Sequence, residues 1–243
     1  MSPVAVIEDA LSRVEALNPK LNAIVTLNPA ALDDARALEQ RIGRGEDVGI
    51  LAGVPVGIKD VTPVKGLRTT YGSPLFADHV PEADALVVER LRAAGAIILG
   101  KTNTPEFAAG GNTWNDVFGR TRNPWNPEKS AGGSTGGGAV GLATGMIAIA
   151  EGTDLGGSLR IPASFCGVVG LRPSPGLVPT DPADWVWDTL QVSGPMARTA
   201  EDVALALHAM AGASPRAPLA QPVEGRDFAA AARGGMRRGA RVA

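Results

Sequence analysis

The sequence contains few of the residues that disulfide frameworks and metal sites require. It has one cysteine, Cys166, and two histidines, His79 and His208, in 243 residues. A single cysteine excludes a disulfide framework and any cysteine-based zinc site, and the two histidines match no metal-ligand spacing. We therefore expect no metal and no other cofactor.

An excess of one charge and long apolar runs are also missing. Lys and Arg number 23 and Asp and Glu 25, for a net charge of -2. This balance argues against nucleic acid or an anionic membrane surface as the main partner. No segment reaches the length of a membrane span, and residues 1–11 carry Glu8 and Asp9 but no basic signal-peptide region. We expect a cytoplasmic protein.

Apolar residues, at 44%, are as frequent as in globular proteins, and the length suits one large domain or two small ones. Helix-like patterns occur at residues 4–17, 29–46, 84–94 and 199–212, and strand-like patterns at 51–60 and 96–99. Asp84 is predicted to cap the third helix, and Thr199 with Asp202 to open the fourth. This alternation predicts an α/β fold with a parallel or mixed sheet.

Ten glycines fall between residues 130 and 157, among apolar residues such as Val140 and Ile147. A flexible linker would not carry these apolar side chains. Glycine in a core-like segment predicts unusual backbone conformations or backbone that approaches a ligand.

Two glycine patterns resemble nucleotide-binding loops only in spelling. Residues 95–102 (GAIILGKT) fit the phosphate-loop pattern, but their apolar interior predicts a strand and no helix pattern follows directly. Residues 136–141 (GGGAVG) fit the dinucleotide pattern, but the preceding stretch with Pro124 and Pro127 is a poor strand. Neither pattern favours nucleotide binding.

A third pattern, residues 132–136 (GGSTG), fits the nucleophile elbow of Ser-His-Asp hydrolases. That arrangement needs an acid and then a histidine further along the chain. His208 is the one downstream histidine, and its place in a helix pattern is more typical of a core or surface residue. A Ser-His-Asp enzyme therefore stays a weaker alternative.

A histidine-free constellation remains: two glycine-flanked serines, Ser134 and Ser158, and Lys59 at the end of an apolar strand pattern. A serine hydroxyl is a poor nucleophile until a base takes its proton. Lysine becomes such a base when burial lowers its pKa from about 10.4 toward neutrality. Serine–lysine pairs are a known variant of the triad. Taken alone, Lys59 would more often be a surface or ion-paired lysine.

At these residues the chain resembles the amidase signature family. Residues 53–60 (GVPVGIKD) look like its lysine motif, 132–138 (GGSTGGG) like its glycine–serine signature and 152–162 (GTDLGGSLRIP) like its nucleophile motif. Three linking pieces also fit in the family's order, namely 100–103 (GKTN), 123–126 (NPWN) and 193–198 (SGPMAR). The match runs from about residue 17 to residue 212. Six ordered segments are far more specific than any single glycine pattern.

The resemblance implies a role for each matched residue. Ser158 would be the acyl-accepting nucleophile, Lys59 the base and Ser134 the bridge between them. Ser134 would follow a cis peptide bond. Backbone N–H groups would form an oxyanion hole, contributed by Leu155, Gly156, Gly157 and Ser158.

Neighbouring residues have supporting roles in this interpretation. Asp154 and Arg160 are expected to pair and shape the nucleophile loop. Thr135 is expected to hydrogen-bond close to the reacting groups. Cys166, in an apolar stretch, is predicted to be a core residue, and buried packing is the favoured interpretation of Trp185 and Trp187, ahead of a place in an acyl pocket.

The resemblance also implies the fold: a mixed β-sheet with helices on both faces, incomplete at its C-terminus. Family members continue for a second half that completes the sheet. We therefore expect residues 1–212 to be the N-terminal part of a single amidase signature domain. Residues 213–243, rich in Ala, Arg and Gly, would lead into the missing half.

Three functional interpretations stay open. The favoured one is hydrolysis of a small-molecule amide, with a second copy of the chain or a complementing chain as candidate protein partner. The second is the glutamine amidohydrolase subunit of a tRNA-dependent amidotransferase. Residues 104–107 (TPEF) and Gly138 look more like the free-standing amidases. The third is a catalytically silent fragment, against which intact Lys59, Ser134 and Ser158 argue.

Overall fold

The structure is a computed structural model that describes residues 1–183, 185–235, 239 and 241. The helices are α1 (Pro3–Leu21), α2 (Ala31–Gly43), α3 (Leu86–Ala93), α4 (Gly136–Ala143), α5 (Arg160–Cys166), α6 (Ala200–Met210) and α7 (Phe228–Gly234). The strands are β1 (Ile24–Leu27), β2 (Pro55–Lys59), β3 (Ile97–Thr102), β4 (Trp114–Asn115), β5 (Gly119–Arg120), β6 (Ile149–Asp154), β7 (Val169–Gly170) and β8 (Val192–Ala197).

Six strands form one mixed sheet in the order β1-β3-β2-β6-β8-β7. The central strand β2 runs parallel to β3 and β6, whereas β1, β8 and β7 pair antiparallel with their neighbours. Strands β4 and β5 form a separate antiparallel pair. The predicted α/β fold with a mixed sheet is confirmed.

Apolar side chains cover both faces of this sheet. On β3, Ile97 and Leu99 belong to one core cluster, while Ile98 belongs to the other. Successive residues of a strand point to opposite faces, so a strand between two cores has apolar side chains at successive positions, as β3 has at residues 97–99. The first cluster includes buried residues of α1, α2, α4 and α5, and the second those of α3 and α6. Helices therefore flank both faces, as predicted.

Two predicted helix starts have different outcomes. Thr199 caps α6, because its hydroxyl accepts a hydrogen bond from the Asp202 N–H at 3.1 Å. The prediction for Asp84 is wrong, since the cap position of α3 is Ala85. The Asp84 carboxylate instead accepts hydrogen bonds from the Lys65 N–H at 2.7 Å and from Arg92 at 3.0 Å. A tertiary contact thus took the place of a local one.

Part of the segment after residue 212 packs on the domain. Val223 and Phe228 contact the second core cluster, and Asp227 caps α7 by accepting from the Ala230 N–H at 2.8 Å. Residues 236–238, 240, 242 and 243 of the predicted tail lie outside the described residues, as does residue 184. Within the described chain, no helix is both long and apolar enough to cross a membrane.

Candidate active site

Lys59 is the last residue of the central strand β2, all of whose residues are buried. Its amine donates hydrogen bonds to the Ser134 hydroxyl at 2.6 Å and to the Thr153 hydroxyl at 2.9 Å. The side chain is fully buried despite its charge-bearing group. The structure therefore brings two of the three predicted catalytic residues into direct contact.

Burial has a large effect on the protonation of this lysine. The loss of hydration lowers the pKa of Lys59 to about 7, although the carboxylates of Glu151 and Asp154 act in the opposite direction. Both hydrogen-bond partners of the amine are neutral hydroxyls, which do not compensate a positive charge as a carboxylate would. Near neutral pH a substantial part of Lys59 is thus a neutral amine, able to accept a proton.

Ser134 lies in the turn that leads into α4. The peptide bond between Gly133 and Ser134 is cis, as the resemblance implied. A Cβ atom at Gly133 would come within 2.8 Å of the Asn112 backbone nitrogen, so this position accepts only glycine. The backbone just before Ser134 is therefore packed directly against the segment at residues 110–112.

Ser158 lies next to Ser134 but contacts its surroundings through the backbone. The Thr135 N–H donates to the Ser158 carbonyl at 3.2 Å, which ties the two serine-bearing loops together. Among the described residues, no hydrogen bond joins the two serine hydroxyls. Ser158 is half-buried, whereas Ser134 and Lys59 have no exposure. The serine assigned as nucleophile is thus the accessible member of the three.

Asp154 organises the loop that carries Ser158. Its two carboxylate oxygens accept from the Gly157 N–H at 2.8 Å and the Leu159 N–H at 3.2 Å, and the Arg160 guanidinium binds both oxygens at 3.0 Å. Burial alone would raise the pKa of Asp154, but these hydrogen bonds together lower it to about 2. The predicted pairing of Asp154 with Arg160 is present, and it shapes the loop.

The backbone donors of this loop divide into two groups. The Gly157 N–H is already directed at Asp154. The N–H groups of Leu155, Gly156 and Ser158 have no acceptor within the described part of the chain. Three of the four N–H groups predicted for an oxyanion hole are therefore free to meet a substrate oxygen.

Thr135 is fully buried and bridges the same region. Its N–H binds the Ser158 carbonyl, and its hydroxyl lies 3.5 Å from the Thr153 carbonyl, at the limit of a hydrogen bond. Since the Thr153 hydroxyl accepts from Lys59, Thr135 lies one contact away from the amine.

Sequence reasoning missed two fully buried charged residues near Lys59, namely Glu151 and Lys101. Lys101 belongs to the matched GKTN segment, but that segment by itself predicts no role for the Lys101 amine. Glu151 lies in an apolar run between Ala150 and Gly152, and a lone acidic residue there was an available signal. A charged residue in a fully buried strand normally has a specific partner.

A cavity of about 440 Å³ opens beside the end of β6. Thr153 and Leu155 line it, together with Tyr71, Phe107 and Trp185. The favoured interpretation of Trp185 as buried packing is wrong, because the residue is 79% exposed and lies at this cavity. Trp187 is also exposed, at 70%.

The remaining candidates lie apart from this site or in the core. His208 is exposed on α6 and contacts the Phe228 ring. Cys166 is buried, its thiol donates to the Ala131 carbonyl at 3.4 Å, and burial raises its pKa to about 12. The core role predicted for Cys166 is confirmed. The phosphate-loop spelling at residues 95–102 ends in strand β3, as its apolar interior indicated.

Comparison with known proteins identifies the class to which this arrangement belongs. Residues 5–243 match the protein family described as Amidase. The chain is 45% identical over 229 residues to a glutamyl-tRNA(Gln) amidotransferase subunit of Carboxydothermus hydrogenoformans, covering 94% of this chain and 47% of that protein. The chain therefore belongs to the amidase family.

Solved structures agree with this assignment. A bacterial aryl acylamidase of the amidase signature family superposes with a TM-score of 0.90 at 37% identity, covering 95% of this chain and 48% of that one. The peptide amidase of Stenotrophomonas maltophilia gives a TM-score of 0.86 at 35% identity, covering 95% and 49%. The chain spans about half the length of the relatives it matches.

Proposed function

We propose that this chain carries the catalytic residues of an amide hydrolase, with Ser158 as nucleophile, Ser134 as proton bridge and Lys59 as base. The observation that carries the proposal is the hydrogen bond of 2.6 Å between the buried Lys59 amine and the Ser134 hydroxyl. A lysine with a pKa of about 7 and a serine partner has the properties that a general base requires.

The proton would move along this relay in two steps. Neutral Lys59 takes a proton from Ser134, which takes one from Ser158 as the Ser158 oxygen attacks the amide carbonyl. The reverse transfer protonates the leaving amine and leaves an acyl-enzyme ester on Ser158. Water then attacks the ester while the relay accepts its proton. The relay returns that proton to the Ser158 oxygen as the bond to the acyl carbon breaks and the acid is released. Contact between the two serine hydroxyls is the element that substrate binding would have to complete.

The oxyanion of the tetrahedral intermediate would bind to the N–H groups of Leu155, Gly156 and Ser158. Gly157 would act indirectly, because its N–H holds the loop on Asp154 at 2.8 Å. One well-placed donor of this kind typically contributes about 3–4 kcal/mol to transition-state stabilisation.

Labelling with a serine-directed fluorophosphonate tests the assignment. We expect the purified chain to be labelled on Ser158, and Ser158→Ala and Lys59→Met to lose labelling. Ser164→Ala and Lys129→Met are matched controls, because both residues are exposed on the surface. Labelling that persists in Ser158→Ala and Lys59→Met would contradict the assignment. A wild-type chain that is never labelled would support the silent-fragment interpretation.

Two observations bear on the substrate. The cavity beside β6 meets the proposed site at Thr153 and Leu155, and none of the three proposed catalytic residues lines it. Its lining combines aromatic with polar side chains, and the aromatic ones, Tyr71, Phe107 and Trp185, suit an amide that carries an aromatic or apolar group. The solved relatives include an aryl acylamidase and a peptide amidase. We therefore propose a small aryl or alkyl amide as substrate, and hydrolysis of a chromogenic anilide is the direct measurement.

The second candidate function is glutamine hydrolysis as part of a tRNA-dependent amidotransferase. Several curated relatives at 40–46% identity are named as subunits of glutamyl-tRNA(Gln) amidotransferase. Ammonia release from glutamine that appears only when partner chains are added would favour this candidate, whereas anilide hydrolysis without them would favour the first.

The ligand and the protein partner of the chain are also part of the proposal. We infer a small-molecule amide as ligand, and a second copy or a complementing chain as protein partner. The division between a domain at residues 1–212 and a segment at 213–243 stays a prediction, as does cytoplasmic location. The family match itself runs across residue 212.

A further inference from the structure

The two strands on either side of β2 carry buried charges that the proposed relay does not use. Lys101 on β3 and Glu151 on β6 both pair in register with Ile58 on β2, one residue before Lys59. Successive residues of a strand point to opposite faces, so Lys59 leaves β2 on the face opposite to Ile58, Lys101 and Glu151. Asp60, next along the chain, is buried as well.

Glu151 reaches Lys59 through the backbone and not through the amine. One carboxylate oxygen accepts from the Lys59 backbone N–H at 3.2 Å. The other accepts from the Thr62 hydroxyl at 3.1 Å. Both oxygens are therefore occupied by neutral donors, and within the described residues Glu151 forms no ion pair with either lysine. Burial raises the pKa of Glu151, whereas the Thr62 hydrogen bond and the charges of Lys101 and Lys59 lower it, so the two lysines favour the ionised carboxylate.

Lys101 is connected to the same carboxylate through Thr62. Its amine donates to the Thr62 carbonyl and, at 3.0 Å, to the Thr69 hydroxyl. Thr62 thus contacts Glu151 with its hydroxyl and Lys101 with its carbonyl. The two lysines and the carboxylate form one connected buried group.

We propose that Glu151 is a positioning residue: the shared counter-charge of Lys59 and Lys101, placed where it anchors β2 without binding the Lys59 amine. A carboxylate bonded to that amine would stabilise the ammonium and remove the base from Ser134. A carboxylate held at the backbone N–H compensates charge from a distance and leaves the amine to Ser134. The inference rests on the proposed function only for the use of Lys59 as base.

Other charged groups also face this region. The charge of Asp154 raises the pKa of Lys59, and the charges of Asp60 and Asp84 raise the pKa of Lys101. The charge of Arg68 lowers the pKa of Asp60. Helix α4, which packs on β2, carries no charged side chain. The charged residues of α1 are exposed. Asp84 raises the pKa of Lys101 without a comparable effect on Lys59, which makes it a selective control.

The protonation of each lysine is measurable without catalysis. The sequence has five lysines, of which Lys20, Lys65 and Lys129 are exposed and Lys59 and Lys101 are buried. Carbon NMR of the labelled lysine side chains follows five signals through a pH titration, and Lys59→Met and Lys101→Met assign the two buried ones. In the wild type the titration midpoint is expected at about pH 7 for Lys59 and at about pH 8 for Lys101.

In Glu151→Gln we expect both buried midpoints to fall by about one pH unit, since a nearby negative charge has been removed. In Asp84→Asn only the Lys101 midpoint should fall. Thr62→Val, which removes one donor to the carboxylate, should shift Lys59 in the same direction as Glu151→Gln but less. Thr62→Ser should restore the wild-type value. Glu128→Gln, at an exposed position, should change neither midpoint.

An unchanged Lys59 midpoint in folded Glu151→Gln overturns the proposal. Should that variant fail to fold, equal midpoints in Thr62→Val and Thr62→Ser overturn it instead. The proposed function fails separately: if the titrations shift as expected but the fluorophosphonate never labels Ser158, the charge arrangement stands and the amidase assignment does not. If Ser158 is labelled but the Lys59 midpoint does not shift in Glu151→Gln, the amidase assignment stands and the proposed role of Glu151 does not.

Discussion

Single residues determine the acid–base chemistry, and Lys59 has the greatest effect. A lysine amine in water is protonated at neutral pH, so it cannot act as a base there. Burial at the end of β2 lowers its pKa to about 7, and its contacts with Ser134 and Thr153 supply no negative charge. The lowered pKa of Lys59 should therefore be visible in the pH dependence of both Ser158 labelling and chain stability.

The rate of Ser158 labelling should increase with pH. Only the neutral amine accepts a proton, so the rate should rise tenfold per unit well below pH 7 and level off above it. Timed fluorophosphonate labelling from about pH 5 to about pH 9 measures the profile. A rate independent of pH across this range would contradict the role of Lys59 as base.

The free energy of unfolding of the chain should also depend on pH because of the lowered pKa of Lys59. The pKa of Lys59 is about 7 in the folded state and 10.5 at its ordinary value, so between these values the unfolded state binds the extra proton. Stability then rises with pH in this window and is insensitive to Lys59 below it. Urea unfolding should show that the unfolding free energy of the wild type increases relative to that of Lys59→Met as the pH rises from 7 to 10.5. A constant difference would show that Lys59 has an ordinary pKa when folded.

At the scale of elements, the turn from β6 into α5 positions Ser158. Strand β6 ends at Asp154, whose carboxylate receives the N–H groups of Gly157 and Leu159 and the Arg160 guanidinium. Arg172 also donates to Asp154 and, at 2.8 Å, to the Leu190 carbonyl. The loop that carries Ser158 and the segment at Leu190 are therefore both connected to one aspartate.

Gly157→Ala should damage this turn, whereas Gly156→Ala should not. Gly157 has φ of +115° and an added Cβ would lie 2.8 Å from Ile161 Cδ1, while nothing lies within 4 Å of a Cβ at Gly156. We expect Gly157→Ala to cost about 1–3 kcal/mol of unfolding free energy and Gly156→Ala less than about 1 kcal/mol. Thermal and urea unfolding compare the two. Equal stability of the two variants would mean that the turn tolerates a side chain at Gly157.

At the scale of the whole molecule, all four tryptophans are more than half exposed. Trp185 and Trp187 reach 79% and 70%, and Leu190 nearby reaches 65%. Exposed apolar side chains in one region mark surfaces that contact other molecules. A second copy or a complementing chain, the protein partner proposed above, would cover such a surface.

Tryptophan fluorescence should report this exposure. At low concentration the folded chain should emit close to the wavelength of hydrated tryptophan, with little further shift on unfolding, because more than half of each tryptophan is already in contact with water. Association with a second copy or a complementing chain should shift emission to shorter wavelength and reduce acrylamide quenching. Trp187→Phe tests how much of the signal comes from this surface. Strongly shifted emission from the most dilute sample would contradict the exposed arrangement.

Much of the fold and site could be predicted from the sequence because the signals are local. The helix-like and strand-like patterns, the cap at Thr199 and the ordered motifs around Lys59, Ser134 and Ser158 depend on neighbouring residues. Local chemistry repeats wherever the same short segment occurs, so these features needed no knowledge of distant contacts.

Only the tertiary structure decided which groups meet across strands. Asp84, predicted as a helix cap, instead accepts hydrogen bonds from Lys65 and Arg92. The Gly157 N–H, predicted to meet a substrate oxygen, instead donates to Asp154. The contact of Glu151 with Lys59 spans 92 positions along the chain. Strand order and register create such pairs, and the depth of burial then sets whether a lysine is an ammonium or a base.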